Sequence, residues 1–228
     1  MLVGGQALAF WVAWFGVELK DAPRAYISGD ADFLGSREHV ARLSAALGGK
    51  AIYPPRRGMT ALYGVVEKKT GGATVGMDVL RKLAGLDAEG VRRRAIEMTH
   101  PADESVRFRI MDPVDCLVSR LENLRRLSAK RDEVAAWQAR LAIAVCRAYI
   151  KELLSLDAER KAIRVATAIF RLAGSAPGLQ AHTKHGLDVL DAVPVNRFRN
   201  ESFKREQARR AVAAILKVRG ETPGAKRR

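Results

Sequence analysis

Asp30 and Asp32 stand two residues apart inside the apolar run Tyr26-Ile27-Ser28-Gly29-Asp30-Ala31-Asp32-Phe33-Leu34. Along a β-strand the side chains alternate between faces, so these two carboxylates project from the same side. Two acids on one face repel each other and lower strand propensity, which a purely structural strand rarely accepts. A divalent cation between them removes the objection, because carboxylate oxygens are the ligands Mg²⁺ takes. Ser28-Gly29 brings a hydroxyl and backbone amides close to the same place. Upstream, Leu2-Val3-Gly4-Gly5-Gln6-Ala7-Leu8 reads as the end of a short strand, a glycine turn and the start of an apolar helix. A glycine pair lets the backbone approach a phosphate, and the helix N-terminus favours the anion. Downstream, Ala73-Thr74-Val75-Gly76-Met77-Asp78-Val79-Leu80 is a second apolar run with one acid near its middle.

Gly-Gly, then Asp-x-Asp, then a third acid on a separate strand resembles the nucleotidyltransferase superfamily built on the polymerase-β palm. The resemblance implies that Gly4, Gly5 and Ser28 contact a triphosphate. It also implies that Asp30, Asp32 and Asp78 hold two divalent ions, Mg²⁺ or Mn²⁺. Ser-x-Asp-x-Asp-Phe beside Gly-Gly-x-Ala-Leu is most similar to the AbiEii/MenT branch, the toxins of toxin–antitoxin systems. There a helix of the second half carries a basic residue, usually Lys, with a basic residue and an Asp following about ten residues later. Arg120 and then Lys130-Arg131-Asp132 stand at those places, so Arg120 and Lys130 are the implied phosphate contacts. Arginine offers a wider fork than lysine, and Arg120 also suits the plain surface of an amphipathic helix. Glu122, Asn123 and Gln138 are further candidates for the same cleft, on spacing that does not decide it.

The implied reaction is in-line attack on the α-phosphate of a nucleoside triphosphate, transferring a nucleoside monophosphate with loss of pyrophosphate. RNA, a protein hydroxyl or a small molecule can serve as acceptor. A cognate antitoxin is a further partner that the resemblance implies. One rival is a module of the same fold that has lost turnover and binds RNA or a partner protein. Another is an aminoglycoside-type enzyme, for which excess positive charge is a handicap toward cationic substrates.

That charge is large and uneven. The 228 residues carry a net charge of +15. Residues 1–112 hold 16 basic against 13 acidic side chains, and residues 113–228 hold 24 against 12. A basic second half points to an anionic macromolecule, RNA above all, as acceptor; an arginine-rich solvated surface is the bland alternative. Cys116 and Cys146 match no zinc or redox spacing, so a reduced, cytoplasmic compartment is expected. The apolar N-terminus lacks a basic lead and a small-residue cleavage site, and it is short and glycine-interrupted for a membrane span. It is expected to be core. His39, His100, His182 and His185 are scattered and form no metal set. Ser28 has no partnered His and Asp in pattern, and no glycine run matches a P-loop or dinucleotide fingerprint.

The elements that must position the candidates follow from periodicity and breakers. A helix is expected from Ala7 to about Gly16, then a polar loop over Glu18–Arg24 and the Asp-x-Asp strand. Ser36 caps a helix running to Leu47 and ended by Gly48-Gly49. Lys50–Tyr53 is a short strand before Pro54-Pro55-Arg56-Arg57-Gly58. Leu62–Glu67 and Ala73–Leu80 bracket Lys68–Gly72 as a hairpin loop. Val91–Met98 suits either a helix end or an edge strand, and Val106–Ile110 alternates as the last strand. Helices are expected over Val114–Leu127, Glu133–Leu154, Ala158–Leu172, Leu179–Leu190 and Phe198–Val218. The class is therefore α+β: a mixed, mostly antiparallel nucleotidyltransferase-type sheet with flanking helices, followed by an α-helical bundle. The domains are 1–112 and 113–219, with a disordered basic tail at 220–228. With so little chain ahead of Gly4, two alternatives stand: a native start upstream of Met1, or a truncated sheet whose edge amides at the first strand are exposed.

Overall fold

A computed structural model describes residues 1–18, 30–55, 60–100, 102–126 and 133–221. The chain divides into two compact units, Met1–Ala13 with Pro23–Ser119 and Trp14–Ala22 with Arg120–Arg228. The division falls inside a helix, beyond the domain end expected at residue 112. No described helix is long and apolar enough to cross a membrane.

The first unit is a seven-stranded mixed sheet with helices. In chain order it holds β1 (Leu2–Val3), α1 (Gly4–Trp14), β2 (Ala31–Leu34), α2 (Arg37–Leu47), β3 (Lys50–Ile52), β4 (Leu62–Thr70) and β5 (Ala73–Leu80). Then come α3 (Ala88–Arg94), β6 (Ile96–His100), β7 (Asp103–Ile110) and α4 (Pro113–Arg126), which crosses into the second unit. The strand order is β3-β4-β5-β2-β1-β7-β6.

β1 is not an edge. It pairs antiparallel with β2 and parallel with β7, placing Leu2 opposite both Phe33 and Ile110. The Met1 carbonyl accepts from Leu34 N–H at 2.9 Å and the Leu2 carbonyl from Met111 N–H at 2.9 Å. Two residues suffice because both sides of the strand are satisfied. The glycine turn expected before the first helix is also absent: Gly4 and Gly5 are themselves the first residues of α1. Trp11 is buried and donates its indole N–H to the Met111 carbonyl at 2.8 Å, whereas Trp14 is exposed.

α2 starts and stops where its caps dictate. The Ser36 N–H donates to His39 Nδ1 at 3.1 Å, and Gly48 ends the helix in the left-handed region. Its Val40 packs on Val66 of β4 and Val79 of β5, with Leu43, Leu47, Ala51 and Met77 around them. Lys68, Lys69 and Thr70 belong to β4, contrary to the expected loop, so the hairpin closes on Gly71-Gly72 alone. Both are at positive φ, the geometry that matches the strands' twist. Val91–Met98 is both of its alternatives in succession, the end of α3 and then the edge strand β6. The Arg94 guanidinium grips the buried Asp115 carboxylate at 2.9–3.2 Å and ties α3 to the first turn of α4. Asp112 accepts from Val114 N–H at 2.7 Å, as its place before Pro113 requires.

The second unit continues with α5 (Glu133–Ser155), α6 (Glu159–Ala173), α7 (Ala176–His185) and α8 (Arg209–Arg219). α7 begins and ends earlier than expected. Pro177 fits inside its first turn, and Gly186 stops it in the left-handed region, sending Val189–Ala192 into a 3₁₀ turn. After a 3₁₀ turn at Val195–Arg197, the helix expected from Phe198 begins at Glu201 and runs through a π-helical segment, Phe203–Ala208, into α8. Phe198 and Phe203 pack ring on ring at 4.5 Å in the core. Asp188 and Arg219, both buried, pair at 3.1 Å, fastening the end of α8. Cys116 and Cys146 are free thiols, both buried. The tail beyond Glu221 lies outside the described residues.

Candidate active site

The three acids are brought to one face of the first unit's sheet by strand register. β2 runs parallel to β5 with Asp32 opposite Asp78, Ala31 opposite Met77 and Phe33 opposite Val79. Alternation then divides the sheet cleanly. Phe33, Met77 and Val79 take the side on which α2 packs, and Asp32 and Asp78 take the other. Asp30, in the bend just before β2, continues the acid side. A methyl group on the Gly76 α-carbon would sit 2.8 Å from Asp30 Oδ1, so the carboxylate lies directly over that glycine. Asp30 is exposed, and Asp32 and Asp78 are half-buried.

α1 meets the same place. β1 pairs Val3 with Asp32, and Gly4 follows with φ +69°. A Cβ there would lie 1.9 Å from Asp32 Oδ2, so only glycine leaves room for the carboxylate. The helix N-terminus, with its positive end, therefore begins against Asp32. Burial raises the pKa of the Asp78 carboxyl, and the charges of Asp32 and then Asp30 raise it further. That is the electrostatic signature of like charges crowded on one face.

Among the described residues, no group of three or more His, Cys, Asp or Glu side chains could hold a metal ion. The acids thus share a face without forming a closed ligand set. The donor chemistry nevertheless fits Mg²⁺ or Mn²⁺. Mg²⁺ commonly takes one or two carboxylates and completes its shell with water and substrate phosphates. Asp32 and Asp78 are the carboxylates that would hold such an ion here.

Of the implied phosphate contacts, Gly4 and Gly5 are at this place, and Ser28 and Lys130 lie outside the described residues. Arg120 belongs to the second unit, where its Nη1 donates to Gln138 Oε1 at 3.0 Å. Glu122 is buried and held by Arg125 at 3.1 Å and Arg126 at 2.6 Å, which makes it a structural anchor of α4. Gly76 was missed by sequence reasoning, although a lone glycine within a strand signals close approach of another group. Comparison with protein-family models, curated proteins and solved structures returns no match. The class defined by the observed architecture is a mixed seven-stranded sheet with a helical unit.

Proposed function

We propose that this chain is a divalent-metal-dependent nucleotidyltransferase of the polymerase-β-like fold. It moves a nucleoside monophosphate from a nucleoside triphosphate onto RNA, in the manner of a toxin of a toxin–antitoxin system. The observation that carries this function is Asp32 opposite Asp78 with the bare backbone of Gly4 against Asp32. Asp32 and Asp78 would hold the cation, with Asp30 beside them at the exposed end of the strand. A bound divalent ion neutralises phosphate charge and lowers the pKa of the attacking hydroxyl. Gly4 and Gly5 in the first turn of α1 are buried with the Asp32 carboxylate over Gly4, so a phosphate would meet the positive helix end alongside that carboxylate and its cation. Ser28, Arg120 and Lys130 are further phosphate contacts only as the resemblance implies them.

The test is incubation with Mg²⁺, total RNA and each α-labelled nucleoside triphosphate in turn. Label appearing on RNA with release of pyrophosphate is the expected outcome. The second reading is an inactive module of this fold that binds RNA or a partner protein, which would have no need to keep Asp32 and Asp78 side by side. No labelling of any acceptor would leave that second function standing.

A further inference from the structure

Within the second unit, a cavity of about 360 Å³ lies between α5 and the segment Val193–Arg197. Arg147 and Lys151, one turn apart on the exposed side of α5, form one wall; Asn196 and Arg197 belong to the other. The site is held in shape rather than left to flexible side chains alone. Arg147 Nη1 donates to the Asp191 carbonyl at 3.1 Å, and Arg197 N–H donates to the Pro194 carbonyl at 2.9 Å. Val193 and Phe198, on either side of the turn, are buried.

Three cations thus surround one concavity, and none of them is in an ion pair among the described residues. Several other cations of this unit are paired, Arg199 with Asp157, Lys204 and Arg205 with Glu201, Arg125 and Arg126 with Glu122; what sets Arg147, Lys151 and Arg197 apart is that they line one concavity. Like charges around a concavity focus a positive potential that an anion relieves. Guanidinium forks and an amide suit tetrahedral phosphate oxygens.

We propose that this pocket seats adjacent backbone phosphates of one RNA strand, with Arg147, Lys151 and Arg197 each neutralising one. Exposed Arg140 lies two turns along α5 from Arg147, about 10 Å away by helical rise. A repeating polyanion reaches both places, whereas a lone phosphate fills only one. A lipid surface is disfavoured because no exposed large apolar side chain lines the pocket. The assignment goes beyond the transfer reaction by placing RNA on the helical unit. It is measured as binding, without triphosphate or turnover, so it stands or falls separately.

The experiment is a salt titration of fluorescently labelled, structured RNA binding to the full chain. The triple variant R147Q/K151Q/R197Q should bind at least about tenfold more weakly, with a log–log salt slope shallower by about 2–3. A control triple, R160Q/R164Q/K184Q, removes the same charge from exposed α6 and α7 positions and should change the slope by less than about 1. If the triple variant unfolds, single variants K151Q and R197Q should each reduce the slope by about 1. Inorganic phosphate and a nucleoside triphosphate serve as competitors. Wild-type affinity and slope in the pocket variants would overturn the site. So would equal losses in both triples, or pocket-dependent binding of the free triphosphate in place of RNA.

Discussion

Gly4 and Asp32 are fitted to each other: a Cβ on Gly4 would stand 1.9 Å from Asp32 Oδ2, 2.6 Å from Cγ and 2.8 Å from Cβ. The conflict reaches back to the Asp32 Cβ, so rotating the carboxylate away does not resolve it. The first residue of α1 and the middle of β2 are therefore a single structural element of the candidate site.

Gly4→Ala should accordingly cost more than a left-handed glycine substitution in open space. Gly48 supplies the comparison: its φ is +60°, and an added Cβ would meet nothing within 4 Å. Gly48→Ala should cost about 1 kcal/mol from backbone conformation alone. Gly4→Ala should add overpacking of about 1–3 kcal/mol. Urea denaturation of the two variants measures the difference, and equal losses would mean that β2 shifts freely.

Asp78 gives a pH prediction. Its carboxyl is raised by burial and by Asp32 and Asp30, so the folded state holds a proton that the unfolded chain releases. Stability from this group is greatest below the unfolded value and falls as pH rises toward the raised folded value. Asp78→Asn removes that loss. In chelator, the variant should gain stability over wild type as the medium goes from acid to neutral. A difference independent of pH would show that Asp78 carries no such strain.

Transfer activity separates the acids from the implied arginine contact. Asp32→Ala should abolish RNA labelling while the fold stays intact. It should also remove stabilisation by Mg²⁺ with a triphosphate in thermal melts. Arg120→Ala should cost less, on the order of 2.7–4 kcal/mol of transition-state stabilisation. Equal Mg²⁺-triphosphate shifts in wild type and Asp32→Ala would remove Asp32 from the metal site.

Asp188 and Arg219 test the helical unit. Both are buried and paired at 3.1 Å, and burial pushes the Arg219 guanidinium below its ordinary pKa. Asp188→Ala leaves that cation with only the charges of Glu221 and Asp191 acting on it, and should destabilise by up to about 3 kcal/mol. The double change Asp188→Ala with Arg219→Met should recover part of the loss. Denaturant unfolding of the single and double variants checks it, and purely additive losses would show that the pair is uncoupled.

What the sequence by itself determined is local. Alternation put Asp30 and Asp32 on one side, Ser36 and Gly48 bounded α2, Gly71-Gly72 marked the hairpin, and three- and four-residue spacing marked α4, α5 and α6. Each of these is set by dihedral preference or by neighbours within a turn or two. The tertiary structure decided which strands meet. A two-residue strand has no period to read, so the position of β1 between β2 and β7 follows only from pairing with distant segments. The parallel register of β2 on β5 was likewise invisible. A shift of one residue would send Asp78 to the α2 side, and burial of Met77 and Val79 against Val40 and its neighbours opposes it. Arg120 illustrates the same limit, since nothing in its spacing to Gln138 foretells their hydrogen bond. Local chemistry nominated the carboxylates, and long-range burial of the opposite sheet face aligned them.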